Sequence, residues 1–173
     1  MKKSSRGFSL IELLIVVAII LIIAAIAIPN LLRSRIAANQ ASAVGSLRTL
    51  NTAEVTYATT YNTGYSATLG DLGPNSGSGG NTPVATAAGL VDEVLSGSNA
   101  AANQATTSAK SGYQFTYTPS GTDTSGRINT YSITATPVSV GTTGTNFYYT
   151  DQSGVIRQNS TNVAGSTDSP LAG

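Results

Sequence analysis

The fold is decided by one apolar stretch near the start of the chain, F-S-L-I-E-L-L-I-V-V-A-I-I-L-I-I-A-A-I-A-I, from Phe8 to Ile28. Only Ser9 and Glu12 in it are polar. As a helix rising ~1.5 Å per residue it is about 31 Å long, close to the ~30 Å hydrocarbon core of a bilayer. A helix that is apolar on every side needs apolar partners all around it, and the polar remainder of the chain does not supply them. We therefore predict a membrane-spanning helix rather than the buried core helix of a soluble domain.

Basic residues flank this apolar stretch on both sides. Lys2, Lys3 and Arg6 precede it, and Arg33 and Arg35 follow it. Because positive residues are retained on the cytoplasmic side of a membrane, the small excess at the start favours a cytoplasmic N-terminus.

An ordinary secretory signal peptide is the alternative interpretation of the same segment. Ala25 and Ala27 form the A-x-A pattern of a signal peptidase site. The apolar stretch is, however, longer than the usual run of about 7–15 residues. Glu12 also places a carboxylate inside the stretch, and Pro29 follows the expected cut directly. These features disfavour a secretory signal.

The rest of the chain is polar, sparsely charged and chemically unreactive. Of its 173 residues, 75 are Ser, Thr, Asn or Gly, and 10% are charged, against about 25% in an average soluble domain. The sequence contains no Cys, His or Trp. This composition excludes disulfides, Cys or His metal sites, cysteine nucleophiles and Ser–His–Asp triads.

After Pro29 the helix is predicted to continue, as an amphipathic helix that ends near Asn62. Apolar residues recur there at spacings near 3, 4 and 7, with polar residues at most other positions. The apolar set is Ile36, Ala43, Val44, Leu47, Leu50, Tyr57, Ala58 and Tyr61, and the polar set is Asn39, Gln40, Ser46, Arg48, Asn51 and Glu54. Pro29 lacks an N–H and is expected to kink or locally open the helix. Gly64 is the expected C-cap.

The second half of the chain is predicted to form a small sheet. Residues 64–110 are rich in Gly and Pro and indicate a loop, with one short helix from Val84 to Leu95. Alternating patterns at 113–118, 128–135, 147–149 and 155–157 predict an antiparallel sheet of three or four short strands. Such a sheet needs a partner for its apolar face, which the amphipathic helix provides. The predicted fold class is α+β: a long N-terminal helix with a small antiparallel sheet packed on its C-terminal half.

The stretch G-F-S-L-I-E-L-L-I-V-V-A-I-I, at residues 7–20, resembles the N-terminus of the type IV prepilins. These proteins are the subunits of type IV pili and the pseudopilins of related secretion and DNA-uptake machines. The resemblance rests on a short basic leader, a Gly, a Phe and a Glu five residues into the apolar run. Two further segments, T-Y-N-T-G-Y-S-A-T-L-G-D-L at 60–72 and F-Y-Y-T-D-Q-S-G-V-I-R at 147–157, are similar to parts of known pilins. The chain departs from many pilins in lacking a cysteine pair.

The resemblance implies reactions performed on this chain rather than by it. A prepilin peptidase would cut between Gly7 and Phe8 and N-methylate the new terminus at Phe8. Glu12 would face the terminal amine of Phe8 of a neighbouring subunit during assembly, and Pro29 would let the helix bend. Removal of the leader would leave six positive and eight negative side chains. We therefore expect no nucleic-acid partner on the basis of net charge, and no cofactor.

Five segments follow from the combined patterns and resemblance. Residues 1–7 are the cleaved leader, 8–29 the transmembrane helix and filament core, and 30–62 the amphipathic half of the helix. Residues 63–158 form the loop and the sheet domain, and 159–173 a disordered tail. Asp123 and Asp151 lie in D-x-S-G turns, where one acid per loop is too few for calcium. We therefore expect no metal site.

The function implied is that of a structural subunit, not an enzyme. It would polymerise into a type IV pilus that serves adhesion, twitching motility or DNA uptake. Its precursor would lie in the bacterial inner membrane, engage the pilus assembly platform and leave as an extracellular fibre. The alternative is a type II secretion pseudopilin, which forms a short periplasmic fibre. A membrane-anchored enzyme or binding domain is a third class, disfavoured by the missing catalytic residue types.

Overall fold

A computed structural model of the chain describes residues 8–75, 82–97 and 105–171. The chain divides into two compact units, which meet between Arg35 and Ile36. Helix α1, Leu10–Tyr61, is 52 residues long and contributes to both units. Gly7 and the rest of the predicted leader lie outside the described residues.

The first unit is the apolar part of helix α1. Every Val, Ile, Leu and Phe side chain between Phe8 and Leu32 is at least 45% exposed. Within the part of the chain that the structure describes, α1 is long and apolar enough to cross a membrane. The helix continues through Pro29 without interruption. The large apolar side chains of this unit therefore form an exposed apolar surface along residues 8–32.

The second unit contains a five-stranded antiparallel sheet in the order β1-β2-β3-β4-β5. Its strands are β1 (Thr107–Lys110), β2 (Tyr113–Thr122), β3 (Ile128–Pro137), β4 (Phe147–Asp151) and β5 (Arg157–Asn159). Strand β1 lies in the segment predicted to be a loop, so that part of the prediction is wrong. Ser111 and Gly112 both have positive φ, 51° and 74°, as in the two-residue hairpin turns whose twist matches paired strands. The turn therefore forms β1 against β2, although T-S-A-K alone carries little strand signal.

The core of the second unit lies between the sheet and the C-terminal half of α1. Tyr113, Phe115 and Tyr117 of β2 are fully or almost fully buried, in alternation with exposed or half-buried neighbours. They join Leu47 and Leu50 of α1 in one hydrophobic cluster. Burying each such leucine side chain contributes about 1.5–3 kcal/mol. The predicted α+β class, with the sheet packed on the C-terminal half of the helix, is confirmed.

Helix α1 ends one residue before a left-handed asparagine. Asn62 has φ 55° and donates its N–H to the carbonyl of Ala58 at 3.2 Å. Asparagine is the commonest substitute for glycine at this position. The prediction that Gly64 is the C-cap is therefore wrong. Gly64 lies in the following turn, where a Cβ would collide with the carbonyl oxygen of Ile128.

An irregular segment followed by a short helix takes the place of the helix predicted from Val84 to Leu95. Helix α2 is Leu69–Leu72 and helix α3 is Glu93–Ser96. Between them, the N–H groups of residues 88–91 donate to carbonyls at the end of α2, for example Leu90 to Leu72 at 2.8 Å. Gly89 has φ 66°, which an α-helix does not accept. The prediction is wrong because this backbone pairing outweighs the helical spacing of the apolar residues.

The tail predicted to be disordered from residue 159 is instead held on the sheet as far as Leu171. The side-chain amide of Asn159 donates to the carboxylate of Asp168 at 2.9 Å. The Leu171 N–H donates to the Ile156 carbonyl at 2.8 Å, and Ala164 is buried. The prediction is wrong because local side-chain hydrogen bonds fold this segment, which its composition alone does not indicate.

Candidate functional site

The start of helix α1 is capped by Glu12. The Ser9 N–H donates to Glu12 Oε2 at 2.9 Å, and the Leu13 N–H donates to the Ser9 carbonyl at 3.2 Å. Ser9 thus holds the N-cap position and Glu12 the third position of the helix, which is half of a capping box. The sequence S-L-I-E at 9–12 fits the S-x-x-E signature of this motif. The sequence prediction, in which Glu12 pairs with another subunit, does not include this local role.

The cap leaves both ends of the predicted Phe8–Glu12 interaction accessible. Phe8 is 76% exposed and immediately precedes Ser9. The Ser9 N–H occupies Oε2 of Glu12, and Oε1 has no hydrogen-bond partner among the described residues. The carboxylate is thus fixed by its own backbone and retains one oxygen for a further donor. This geometry is compatible with an amine supplied by another copy of the chain.

One face of the first unit carries an open apolar surface. It is lined by residues three or four positions apart, which are Leu10, Leu13, Leu14, Val17, Ala18 and Leu21. Residues at this spacing lie above one another on a helix and form the ridges and grooves into which a second helix packs. Glu12 is not among the lining residues.

Pro29 lies inside α1, at the C-terminal side of the apolar stretch. Its ring nitrogen carries no hydrogen, so the carbonyl of Ala25 has no donor four residues further on. The surrounding residues remain helical on both sides. The predicted kink at Pro29 stays a prediction.

A buried carboxylate in the second unit was missed by the sequence interpretation. Glu54 was assigned to the polar side of the amphipathic helix, but it is 0% exposed. It lies four residues after Leu50 and seven after Leu47, which is the spacing of the buried face. That spacing is the signal that locates it.

Hydrogen bonds to the turn after α1 hold Glu54 in place. Its Oε2 accepts from the Ser66 N–H at 3.0 Å, and its Oε1 accepts from the Ser66 hydroxyl at 2.6 Å. Burial raises the pKa of Glu54, and the hydrogen bonds from Ser66 oppose that rise. The buried carboxylate therefore joins the helix to the loop that leads to α2.

The carboxylates of the two D-x-S-G turns, Asp123 and Asp151, accept hydrogen bonds from residues of their own turns. Asp123 Oδ1 accepts from the Ser125 N–H at 2.9 Å, the Ser125 hydroxyl at 2.6 Å and the Arg127 N–H at 3.0 Å. These hydrogen bonds, led by the one from the Ser125 hydroxyl, lower the pKa of Asp123 to about 2. Over the ranges that the structure describes, no three acidic, His or Cys side chains lie close enough together to bind a metal.

The proteins and the family model that this chain resembles are two pilins and an N-terminal methylation motif. Residues 2–28 match the model of the prokaryotic N-terminal methylation motif. The chain is 51% identical over 53 residues to the type IV major pilin protein PilA of Myxococcus xanthus, a match covering 31% of this chain and 24% of that protein. It is 62% identical over 37 residues to the type IV wide pilus major component PilA4 of Thermus thermophilus, a match covering 21% and 28% of the two chains.

These similarities are confined to part of each protein. The chain spans about a quarter of the length of the curated relatives that it matches. No solved structure matches it significantly. The fold adds independent support, because the long helix carries an antiparallel sheet on its C-terminal half. The methylation motif, the similarity to two pilins and this helix-and-sheet fold, in a chain without cysteine, all agree with the resemblance to type IV pilins.

Proposed function

We propose that this chain is the major structural subunit of a type IV pilus and that it polymerises with copies of itself. The observation that carries the proposal is the first unit, whose large apolar side chains from Phe8 to Leu32 are all exposed. Exposing so large an apolar surface to water is unfavourable, so lipid or other apolar helices must cover it. A subunit that is stored in the membrane and then assembled into a fibre meets both conditions in turn.

The apolar face from Leu10 to Leu21 is where the helix of another subunit packs in this proposal. Lipid chains are as apolar as leucine, so transfer from bilayer to helix bundle changes the hydrophobic free energy little. Shape fit and specific polar contacts must then select the arrangement of subunits. A fibre built in this way extends from the membrane and returns to it at small cost, as adhesion, twitching motility and DNA uptake require.

Processing at the N-terminus is the first step of the proposed pathway. The match of residues 2–28 to the methylation motif supports cleavage between Gly7 and Phe8 by a prepilin peptidase, with N-methylation of Phe8. Cleavage frees an amine at Phe8, next to the capped first turn of α1. The precursor would lie in the inner membrane and pass through the pilus assembly platform to the cell surface.

Glu12 is the proposed partner of the freed amine, in trans. A carboxylate at bilayer depth costs about 2.5–3.5 kcal/mol on insertion scales, so it requires a functional reason. Its Oε1 has no partner among the described residues and is free to accept from the amine of Phe8 of a neighbouring subunit. An apolar surrounding strengthens this attraction and penalises registers that leave either charge unpaired.

The experiment is electron microscopy of surface fibres together with mass spectrometry of the sheared material. Long extracellular fibres made of this chain, beginning with N-methyl-Phe8, are the expected result. Mature chain found only in the periplasm or membrane would overturn the pilus proposal and favour the short fibre of a secretion pseudopilin.

Glu12→Ala tests the assembly role, and Glu93→Ala is its control, since Glu93 is an exposed acid of the second unit. Glu12→Ala should still insert and be cleaved, but fibre yield should fall more than about tenfold, because an unpaired buried charge costs several kcal/mol. Glu93→Ala should assemble as the wild type does. Normal fibre yield from Glu12→Ala would rule out the pairing.

A further inference from the structure

Glu54 is a carboxyl group closed inside the second unit, far along the sequence from the processing and assembly residues. Both Glu54 and Ser66, its hydrogen-bond partner, are 0% exposed. The Ser66 carbonyl in turn accepts from the Tyr117 hydroxyl at 2.8 Å. A buried chain of hydrogen bonds therefore runs from helix α1, through the turn at residue 66, to strand β2.

Among the residues that the structure describes, no cation contributes to the electrostatic surroundings of this carboxyl group. The groups that interact with Glu54 electrostatically are Tyr57 on α1, Asp71 on α2, Tyr117 on β2 and Tyr131 on β3, together with the hydroxyl and N–H of Ser66. Within residues 8–75, 82–97 and 105–171 the one ion pair joins Lys110 to Asp92, and both side chains are partly exposed. An ionised Glu54 would thus be a buried charge next to another acid, which is costly.

We propose that Glu54 is a proton-binding site, whose proton fastens the turn at residues 62–68 to the sheet and whose deprotonation at rising pH loosens that turn. With the proton on Oε1, the carboxyl group donates to the Ser66 hydroxyl across the 2.6 Å contact, while Oε2 still accepts from the Ser66 N–H at 3.0 Å. Loss of the proton leaves a negative charge that faces Asp71 and three tyrosine side chains.

The direction of the pH effect follows from the burial of Glu54. Burial raises its pKa in the folded protein, and the charge of Asp71 adds to the rise. A raised folded-state pKa means that the stabilisation is complete below the ordinary pKa of glutamate, and is lost as pH rises through the folded-state value. The turn should therefore be tightest in mild acid and looser at neutral to alkaline pH.

The turn that responds comprises residues 62–68. Tyr65 donates its N–H to the Ile128 carbonyl at 2.9 Å, and its ring packs on that of Tyr131 with the two centroids 4.7 Å apart. The residues after this turn are held more firmly, because Leu69 and Leu72 are fully buried and the N–H groups of residues 88–91 donate to carbonyls of residues 71–73. Local opening of a turn requires less free energy than global unfolding, so the site acts on residues 62–68 before the sheet.

The test uses the full-length protein in detergent micelles, with carbon-13-labelled glutamate and amide hydrogen exchange followed by NMR. The Glu54 carboxyl signal should titrate above the ordinary value of about 4.3. Amide protection factors at Tyr65 and Ser66 should fall about tenfold or more from pH 5 to pH 8, since one pKa unit corresponds to tenfold. Glu54→Gln, which keeps the shape without the charge, should show less than about a twofold change on the same scale.

Two further variants sharpen the outcome. Glu93→Gln, at an exposed acid, should keep the full pH dependence of the wild type. Ser66→Ala removes a hydrogen bond that favours the charged form, so it should shift the Glu54 titration upward. A wild-type Glu54 signal that titrates at or below the ordinary value overturns the proposal, as does pH-independent protection at Tyr65 and Ser66. The wild-type measurement decides by itself if Glu54→Gln does not fold.

Discussion

The two halves of helix α1 present the same backbone with opposite surroundings. From Leu10 to Arg35 its large apolar side chains are all exposed, whereas from Ile36 to Tyr61 one face is buried against the sheet. The difference arises from the sequence pattern, which is apolar all round in the first half and periodic in the second. Along the described residues, the first half therefore exposes its apolar side chains, and the second half buries one face against the sheet of its own unit.

The two glutamates of the helix repeat this contrast at the level of single residues. Glu12 is exposed and accepts a backbone N–H at the start of α1, so its chemistry is directed outward. Glu54 is buried and accepts twice from Ser66, so its chemistry is directed into the fold. A carboxylate on an apolar helix thus signals either an external partner or an internal proton, according to what covers the helix.

The largest effect that separates the two halves is expected from a pair of leucines. Leu50→Ala should lower the free energy of unfolding of the second unit by about 2–5 kcal/mol, because it opens a cavity at a fully buried position. Leu21→Ala, at a 63% exposed position of the first unit, should leave that free energy unchanged. Thermal unfolding followed by circular dichroism in micelles measures both. Equal losses from the two variants would show that the halves are not independent in stability.

Removal of the buried carboxyl group should give the next largest effect. Glu54→Ala leaves the Ser66 N–H buried without its acceptor, which costs about 1–3 kcal/mol. Glu12→Ala removes only an exposed cap in the other half, so the second unit should unfold as in the wild type. Denaturant unfolding monitored by tyrosine fluorescence checks both variants. If the second unit of the Glu54→Ala variant were as stable as that of the wild type, the structural role of the carboxyl group would be contradicted.

Alkaline pH should destabilise the second unit through its buried tyrosines. Burial raises the pKa of Tyr113 to about 12, whereas the unfolded chain titrates near 10. The sign follows directly: stability is fully present below pH ~10 and falls as pH rises towards ~12, since the unfolded state loses its proton first. Tyr113→Phe should reduce this fall, as seen in unfolding midpoints measured from pH 9 to 12. An unchanged pH profile in Tyr113→Phe would show that other groups control alkaline unfolding.

Much of the fold follows from the sequence, because periodicity reports which side chains face a partner. Helix α1 and strands β2 to β4 have clear periods of 3.6 or 2 and were predicted, whereas β5 lies two residues beyond its predicted start at Val155. The helix predicted from Val84, strand β1 and the ordered tail failed for a different reason. They depend on backbone hydrogen bonds to distant segments, such as Leu90 to Leu72, which no local pattern records.

The candidate site also has features that the sequence predicts and features that the sequence interpretation missed. The roles of Phe8 and Glu12 in processing and assembly are predicted through resemblance to prepilins, the kink at Pro29 is predicted from its missing N–H, and Gly7 lies outside the described residues. These roles stay predictions. The cap that Glu12 forms and the burial of Glu54 were both missed. In each case the sequence contains the signal, the S-x-x-E pattern for Glu12 and the spacing from Leu47 for Glu54. The capping signal of Glu12 was overlooked because the residue already had an expected role in assembly. The burial signal of Glu54 was overlooked because its side chain is polar.

The two ends of α1 offer the smallest and finest test of the contrast. The helix begins with a side-chain cap from Glu12 and ends with the left-handed residue Asn62, φ 55°. Asn62→Ala should destabilise the second unit by about 1 kcal/mol, because a left-handed backbone conformation costs a residue with a Cβ about 1–2 kcal/mol and asparagine tolerates it better than alanine. Asn62→Gly should change stability by only about a few tenths of a kcal/mol, since glycine adopts this conformation freely. Equal effects of alanine and glycine in equilibrium unfolding would mean that the Asn62 side chain, rather than its backbone, ends the helix.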